Sequence, residues 1–509
     1  MPKNFLNEPT RQDGGAVLVI LVNLVVRTVR ALWPFLLIAF LGRGGNEQDS
    51  ESNYFLWLGI AGGVYSAIIS IISYFRFYYF VENDEFVIRK GVLRRARLNV
   101  PFDRIQTINF QQTPVHRLLN VVGVQIDTAG SRGNEFVIDA VKQERAEEIR
   151  DYLMLRKREA VAEQLENPDE ATSGPAPVGE IEQQLLLRLL PADLARVGVS
   201  QNHVRTAFLI IGFFFGIWFN VREALGNDLE EQLVDRVIRG DVSTSWWDYL
   251  PAIGLLLFVS FIVTLVMTVV RYYGLKLWQT DRGFKMVSGL FNRQEVSVSL
   301  QKVQVIEWLR NPIRKALGLY TVRLKQAASA AVNKRTSINV PGCYEAQLDR
   351  IRFTYFPEEN DHAWTSFKPH RAVIFRRTRN FGLPVAVVLV ALNYFGYENG
   401  AASFLWLFVL PLFWFWNVLL YRKWTYETST EGLRILRGAI GEKATLLRWH
   451  KVQSVAIRQS PFQRRKALAN LTLYTAAGST NVIWIDLKQA RRIANWVLYR
   501  VERSEEAWM

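Results

Sequence analysis

The sequence predicts an α+β membrane protein: six transmembrane helices in three hairpins, each hairpin followed by a strand-rich module capped by a C-terminal helix. Three observations carry this expectation. Apolar blocks alternate with charged ones, half of the 509 residues being hydrophobic, 13% aromatic and 21% charged. Short signatures recur in register: Gly91, Gly289 and Gly438; then, 15 residues later, Gln106, Gln304 and Gln453; then, 8 further, Pro114, Pro312 and Pro461. The basic charge is also one-sided. An internal repeat defines the folding unit and is read before other patterns. It divides the chain into a first hairpin (16–76) and module (77–156), a flexible linker with surface helices (157–203), a second hairpin (204–271) and module (272–357), and a third hairpin (380–421) and module (422–503).

A helix needs about 20 apolar residues to cross a bilayer. Tyr54–Phe75 and Pro251–Val270 are clean spans, and Phe404–Tyr421 is shorter and very aromatic. Ala16–Leu41 is interrupted by Arg27 and Arg30, so an interfacial helix over Ala16–Val26 leading into a span over 29–41 is expected. Thr206–Asn220 and Phe381–Phe395 complete six. No cleavable leader is read at the N-terminus, which looks like a retained anchor. The loops expected outside, 42–53, 221–249 and 396–402, carry −2, −4 and −1 within a chain of net charge +15. Basic clusters such as Arg76, Arg271, Arg376, Arg377, Arg379 and Arg422 flank the other ends of the spans. Lys and Arg mark the cytoplasmic side, so the inner membrane, with both termini and all three modules cytoplasmic, is the expected location. A lone Cys343 and five scattered histidines make disulfides and a metal site improbable, and no cofactor is expected.

Each module opens with hairpins: Phe77–Val81 to Glu85–Arg89 through Asn83-Asp84, Gly274–Gln279 to Phe284–Val287, and Trp424–Thr428 to Leu433–Leu436. The glycine at 91, 289 or 438 makes the next turn, where positive φ is tolerated. A basic strand follows: Arg94–Val100, Phe291–Ser299, Ile440–Leu447. Then comes a cation, an aliphatic residue and a glutamine: Arg104-Ile-Gln106, Lys302-Val-Gln304, Lys451-Val-Gln453. In a strand the cation and glutamine share one face. Thr113-Pro114, Asn311-Pro312 and Ser460-Pro461 start a short basic helical turn carrying His116 and Arg117, Arg314 and Lys315, and Arg464, Arg465 and Lys466. Further strands lead to an amphipathic helix. Residues sharing one face are Ala146, Ile149 and Leu153 in the first module, Leu348 and Ile351 in the second, and Ile493, Trp496, Val497 and Arg500 in the third. About seven strands plugged by a helix make a small barrel or orthogonal sandwich. In the linker, Gln183–Leu190 and Ala192–Val197 read as short amphipathic pieces at the bilayer surface.

This order of strand, hairpin, "GL", basic strand, "[RK]-[IV]-Q", "Q-x-[TS]-P", "TAG" and helix resembles the bacterial pleckstrin-homology-like domains of membrane proteins, best over Val100–Val115 and Leu447–Pro461. The middle copy departs, with Asn311 at the cap and no glycine over Ala327–Ala331. The resemblance implies membrane-bound recognition or assembly, often beside a smaller partner of the same type, and no enzymatic activity.

The expected function is accordingly a non-enzymatic membrane scaffold, presenting three PH-like domains for protein assembly or anionic headgroup recognition. The candidate headgroup face is Arg104, Gln106, Arg117, Lys302, Gln304, Lys315, Lys451, Gln453 and Arg464. The competing interpretation of these residues is a solvated strand edge. Expected partners are membrane lipids and a smaller PH-like membrane protein or a second copy, with no nucleic acid. Catalytic motifs are missing, including G-x-S-x-G, H-E-x-x-H and the P-loop. A lipid or solute transporter is the alternative, although the spans hold few polar residues beyond Asn23, Asn393 and Asn417.

Overall fold

The computed structural model describes residues 6, 8–26, 51–91, 95–128, 136–165, 184–225, 250–281, 283–327, 338–357, 363–396 and 405–504. Two compact units divide the chain: 1–179 with 190–275 and 287–295, and 180–189 with 276–286 and 296–509.

In the first unit β1 (Tyr78–Glu82), β2 (Glu85–Lys90) and β3 (Ala96–Pro101) form an antiparallel meander, and β4 (Ile105–Gln112), β5 (Val121–Thr128) and β6 (Phe136–Lys142) form a second. The β1–β2 turn places Asn83 and Asp84 at φ 50° and 58°. A two-residue hairpin matches the strand twist only with both central residues left-handed, which Asn and Asp tolerate best after Gly. The two sheets share one core, with Phe86, Ile88, Val124 and Ile138 all fully buried. The helix Gln143–Leu165 closes it through Ala146, Ile149 and Leu153, which lie on one helical stripe and are fully buried. This helix runs beyond the module boundary expected at residue 156.

The second unit holds β7 (Gln184–Arg188), which pairs with β8 (Lys276–Thr280); β9 (Gly283–Ser288) and β10 (Arg293–Ser299) follow along the chain, with their residues 287–288 and 293–295 counted in the first unit. Its main sheet has the order β13-β12-β11-β17-β16-β15-β14, with β11 (Val303–Arg310), β12 (Tyr320–Gln326), β13 (Ile338–Cys343), β14 (Thr365–Phe367), β15 (Thr425–Thr428), β16 (Gly432–Arg437) and β17 (Glu442–Arg448). A three-stranded sheet, β18 (Val452–Arg458), β19 (Leu468–Thr475) and β20 (Gly478–Asp486), completes it. The helix Leu487–Arg503 packs Ile493 and Val497 on a core that includes Trp449, Tyr426 and Leu471, whereas Trp496, expected on the same face, is exposed and donates to Thr430 O. The helix Glu345–Tyr355 buries Leu348, Ile351 and Tyr355.

The expectation of six spans is corrected. Among the described residues one helix, Leu250–Tyr272, is long and apolar enough to cross a bilayer. The other apolar stretches, Gly15–Val26, Ile60–Phe75, His203–Phe215 and Leu407–Arg422, run 10–17 residues. Two of them are the apolar parts of longer helices, Glu51–Phe75 (25 residues) and His203–Leu225 (23 residues), but the apolar stretch described in each is shorter than the roughly 20 residues that a span needs. The stretch 29–41 lies outside the described residues, as do most of the expected outer loops. Over Phe381–Phe395 the helical path starts earlier, at Ala372, and opens into a π turn at Thr378–Gly382. Pro384 offers no N–H and crowds the carbonyl four residues back, and the wider turn accommodates it.

A second difference concerns the linker. Gln183–Leu190 was expected as a surface helix, but Gln184–Arg188 is β7. The same device recurs: Thr10 bridges to Tyr79 on β1, and β14 pairs with β15. Each module therefore takes on a short segment from before its apolar helices. Pro191–Val199 is helical as expected, and Gly198 lets it approach Leu265 closely.

Candidate functional site

The triplicated glutamine marks a β-bulge. Pairing skips one residue between Ile105 and Thr107, between Val303 and Val305, and between Val452 and Ser454. The skipped residues are Gln106, Gln304 and Gln453. The preceding cation is not in the strand. Arg104, Lys302 and Lys451 each end a 3-10 turn that opens on an apolar residue, Phe102, Leu300 or Trp449 in chain order, of which Phe102 and Trp449 are fully enclosed and Leu300 is half-buried. The expected sharing of one strand face therefore fails, because the turn and the bulge both break the two-residue alternation.

The prolines behave as expected. Thr113 Oγ1, Asn311 Oδ1 and Ser460 Oγ accept from the backbone N–H of His116, Arg314 and Gln463. Asparagine caps as well as the hydroxyls do. The side chain of the donor residue is buried in each copy and reaches the neighbouring strand. His116 Nε2 donates to Asp139 O at 2.8 Å, Arg314 Nη1 to Thr321 Oγ1 at 2.6 Å, and Gln463 Nε2 to Asn470 Oδ1 at 2.8 Å. Burial pulls the His116 pKa below its usual range, keeping the ring neutral. His116 and Arg314 were expected as part of the basic turn but are buried, and Gln463 was passed over because its residue type differs, although the three offsets from the proline are equal.

The nine candidate residues do not form one repeated face. Arg104, Arg117, Gln453 and Arg464 are exposed, and the side chain of Gln106 lies outside the described set. Lys302 and Gln304 are buried, at 5% and 0% exposure, and Tyr355 Oη donates to Gln304 O at 2.8 Å. Lys451 is buried at 4% and its Nζ donates to Gln301 O at 2.9 Å. Lys315 is exposed but bonded to Glu442 Oε1 at 2.9 Å.

The reason is a strand junction between successive modules. β11 of the second module pairs antiparallel with β17 of the third over six positions, from Val305↔Leu447 to Arg310↔Glu442. Glu307, 5% exposed, meets Lys325 at 2.9 Å and Lys443 of the facing strand at 3.1 Å. Burial pushes its carboxyl up, and the two lysines more than reverse this, holding it below the usual carboxylate range. Glu442 accepts from Arg310 and Lys315 of the other module. An equivalent contact lies in the first unit, where β4 pairs with the start of β10: Gln112↔Arg293, Gln111↔Gln294 and Phe110↔Glu295. There Arg150 stands 3.7 Å from Glu295 and 5.3 Å from the Phe110 ring centroid. The two junctions share one register. Arg310 occupies the place of Gln112, and Glu442 that of Arg293, counted from the repeated glutamines and glycines.

Other features are modest. A shallow pocket of about 90 Å³ opens beside Phe110, Val122, Arg150 and Glu295. Among the described residues no three His, Cys, Asp or Glu side chains converge as metal ligands. Cys343 is fully enclosed, and burial pushes its thiol up to about 12. In the third apolar pair, Asn417 accepts from Arg377 and donates to Thr378 and Phe413. The helix Leu250–Tyr272 presents Leu255, Phe258, Val266 and Met267 outward, each at least half exposed.

The chain is 23% identical, over 93% of its length and 94% of the relative's, to the transmembrane protein YdbT of Bacillus subtilis (strain 168). No solved structure matches it. The Bacterial PH domain family matches residues 19–157, 229–355 and 381–501, the three repeats read from the sequence. With well over half of its length matched in three consecutive copies, this chain belongs to the bacterial PH domain family.

Proposed function

We propose that the protein is a non-enzymatic, membrane-anchored scaffold whose PH-like domains assemble through their sheet edges. The observation that carries this reading is the β11–β17 junction, a six-position ladder locked by Glu307 and Glu442. It gives the repeated motif an assembly role in place of a ligand role in two of three copies. Membrane anchorage is supported by the outward apolar surface of Leu250–Tyr272 and by the transmembrane relative. Arg271 in the last turn of that helix supports a cytoplasmic position for the domain that follows. The saturated polar groups of Asn417 support helix packing over a solute path.

A second activity fits the cations left outside the junctions. Exposed Arg104, Arg117 and Arg464 suit anionic phospholipid headgroups, each contributing about 1 kcal/mol near such a surface. The test uses the full chain in nanodiscs of phosphatidylcholine with and without phosphatidylglycerol. Amide exchange over Val303–Arg310 and Glu442–Arg448 should be slow in both, and fast in a Glu307→Lys, Glu442→Lys variant. Fast exchange of these strands in the unaltered protein would remove the assembly reading. Slower exchange around Arg104, Arg117 and Arg464 on adding phosphatidylglycerol supports headgroup binding, and no change removes it.

A further inference from the structure

Two junctions use the same edges in the same register: the fourth strand of one module receives the third strand of the next. β4 receives β10, and β11 receives β17. The series leaves two edges of the same kind. β3 pairs with β2 alone, and β18 pairs with β19 alone, among the described residues. β18 is the fourth strand of the last module, and Gln453, Ser454, Ile457 and Arg458 along it are exposed. A strand edge with unpaired N–H and C=O groups is a template for another chain.

The charge at this edge selects the occupant. Each strand received within the chain carries a glutamate in its first three residues: Glu295 in β10, which pairs with Arg150, and Glu442 in β17, which pairs with Arg310 and Lys315. Counted from the repeated glutamine, the place of Lys315 is taken at the open edge by Arg464, with Arg465 and Lys466 beside it, all exposed. Among the described residues the other third strand with an open edge is β3, which brings Arg95 to that end, Arg97 being paired with Glu82 at 2.7 Å. A second copy docked in register would place Arg95 against Gln459 and next to Arg464. Like charges in that position oppose docking.

We infer that the β18 edge receives the third strand of a PH-like domain on a different polypeptide, a strand with a glutamate among its first three residues, in the register of β11 with β17. This deepens the assembly reading and rests on it. The two fail separately, since amide exchange reports the inner junction and the binding assay below reports β18.

The experiment uses the purified full chain in detergent and a labelled, backbone-cyclised hairpin with the sequence of residues 430–449, in which Glu442 leads the docking strand. Cyclisation pre-orders the probe. The hairpin should bind, and its Glu442→Lys form should bind roughly three- to ten-fold more weakly, as expected for reversing one partly exposed ion pair. Arg464→Glu in the protein should invert that preference, which places the probe at β18 and not at β11. Absent binding, or a preference that Arg464→Glu does not invert, overturns the proposal. So does a disulfide between copies carrying Leu98→Cys and Ala456→Cys, which would make a second copy the occupant.

Discussion

Replacing Glu307 by alanine should loosen the strand junction between the second and third modules by about 2 kcal/mol. The carboxylate is 6% exposed at the side chain and accepts two charge-assisted bonds, from Lys325 and Lys443. Such bonds each contribute about 1.5–3 kcal/mol, but the lysines are 42% and 48% exposed and regain water when released, which offsets about half. The assay is amide exchange of Ala444 and Thr445 under conditions where opening is at equilibrium. A loss of about 2 kcal/mol corresponds to roughly thirty-fold faster exchange. A double-mutant cycle with Lys443→Ala isolates the cross-strand share, expected at about 1 kcal/mol. The pH dependence has a definite sign. The folded pKa is lowered from 4.5, so the contribution is complete above that value and is lost as pH falls through the lower folded value. Unchanged exchange in Glu307→Ala, or strict additivity with Lys443→Ala, would refute the argument that this carboxylate couples the modules.

Gly438→Ala should destabilise the third module by more than about 2 kcal/mol in thermal unfolding, because φ is 152° and a Cβ would be driven into Gly441 O. Ile149→Ala, at a fully buried position of the first core, should cost about 2–5 kcal/mol by the same measurement. His450 has its pKa lowered to about 3 by burial and by the neighbouring Arg448 and Lys451. The unfolded ring takes up a proton below about 6.5 and the folded ring does not, so stability should fall between pH 6.5 and about 3, by on the order of 1 kcal/mol per pH unit. His450→Gln should flatten the melting temperature over that window.

The capping threonine, asparagine and serine before the prolines could be read directly, because a cap satisfies N–H groups two or three residues away. The turn glycines were equally legible, since positive φ is a property of one residue. The cation–x–Gln motif was visible as a repeat but misread in role, because a bulge and a 3-10 turn depend on what the opposite strand does. Lys302 and Lys451 are buried while Arg104 is exposed, although the motif is the same. The six spans were counted from apolar composition, and among the described residues only Leu250–Tyr272 has an apolar stretch long enough to cross a bilayer.

What the sequence by itself determined was therefore the module: its three copies, its hairpin turns, its capped proline turn and its closing helix. These rest on periodicity and on backbone preferences within a few residues. Only the tertiary structure decided how modules meet. The ladders of β4 with β10 and of β11 with β17 join residues far apart in sequence. Edge pairing is made by backbone N–H and C=O groups that every residue except proline offers alike, so no residue pattern announces it.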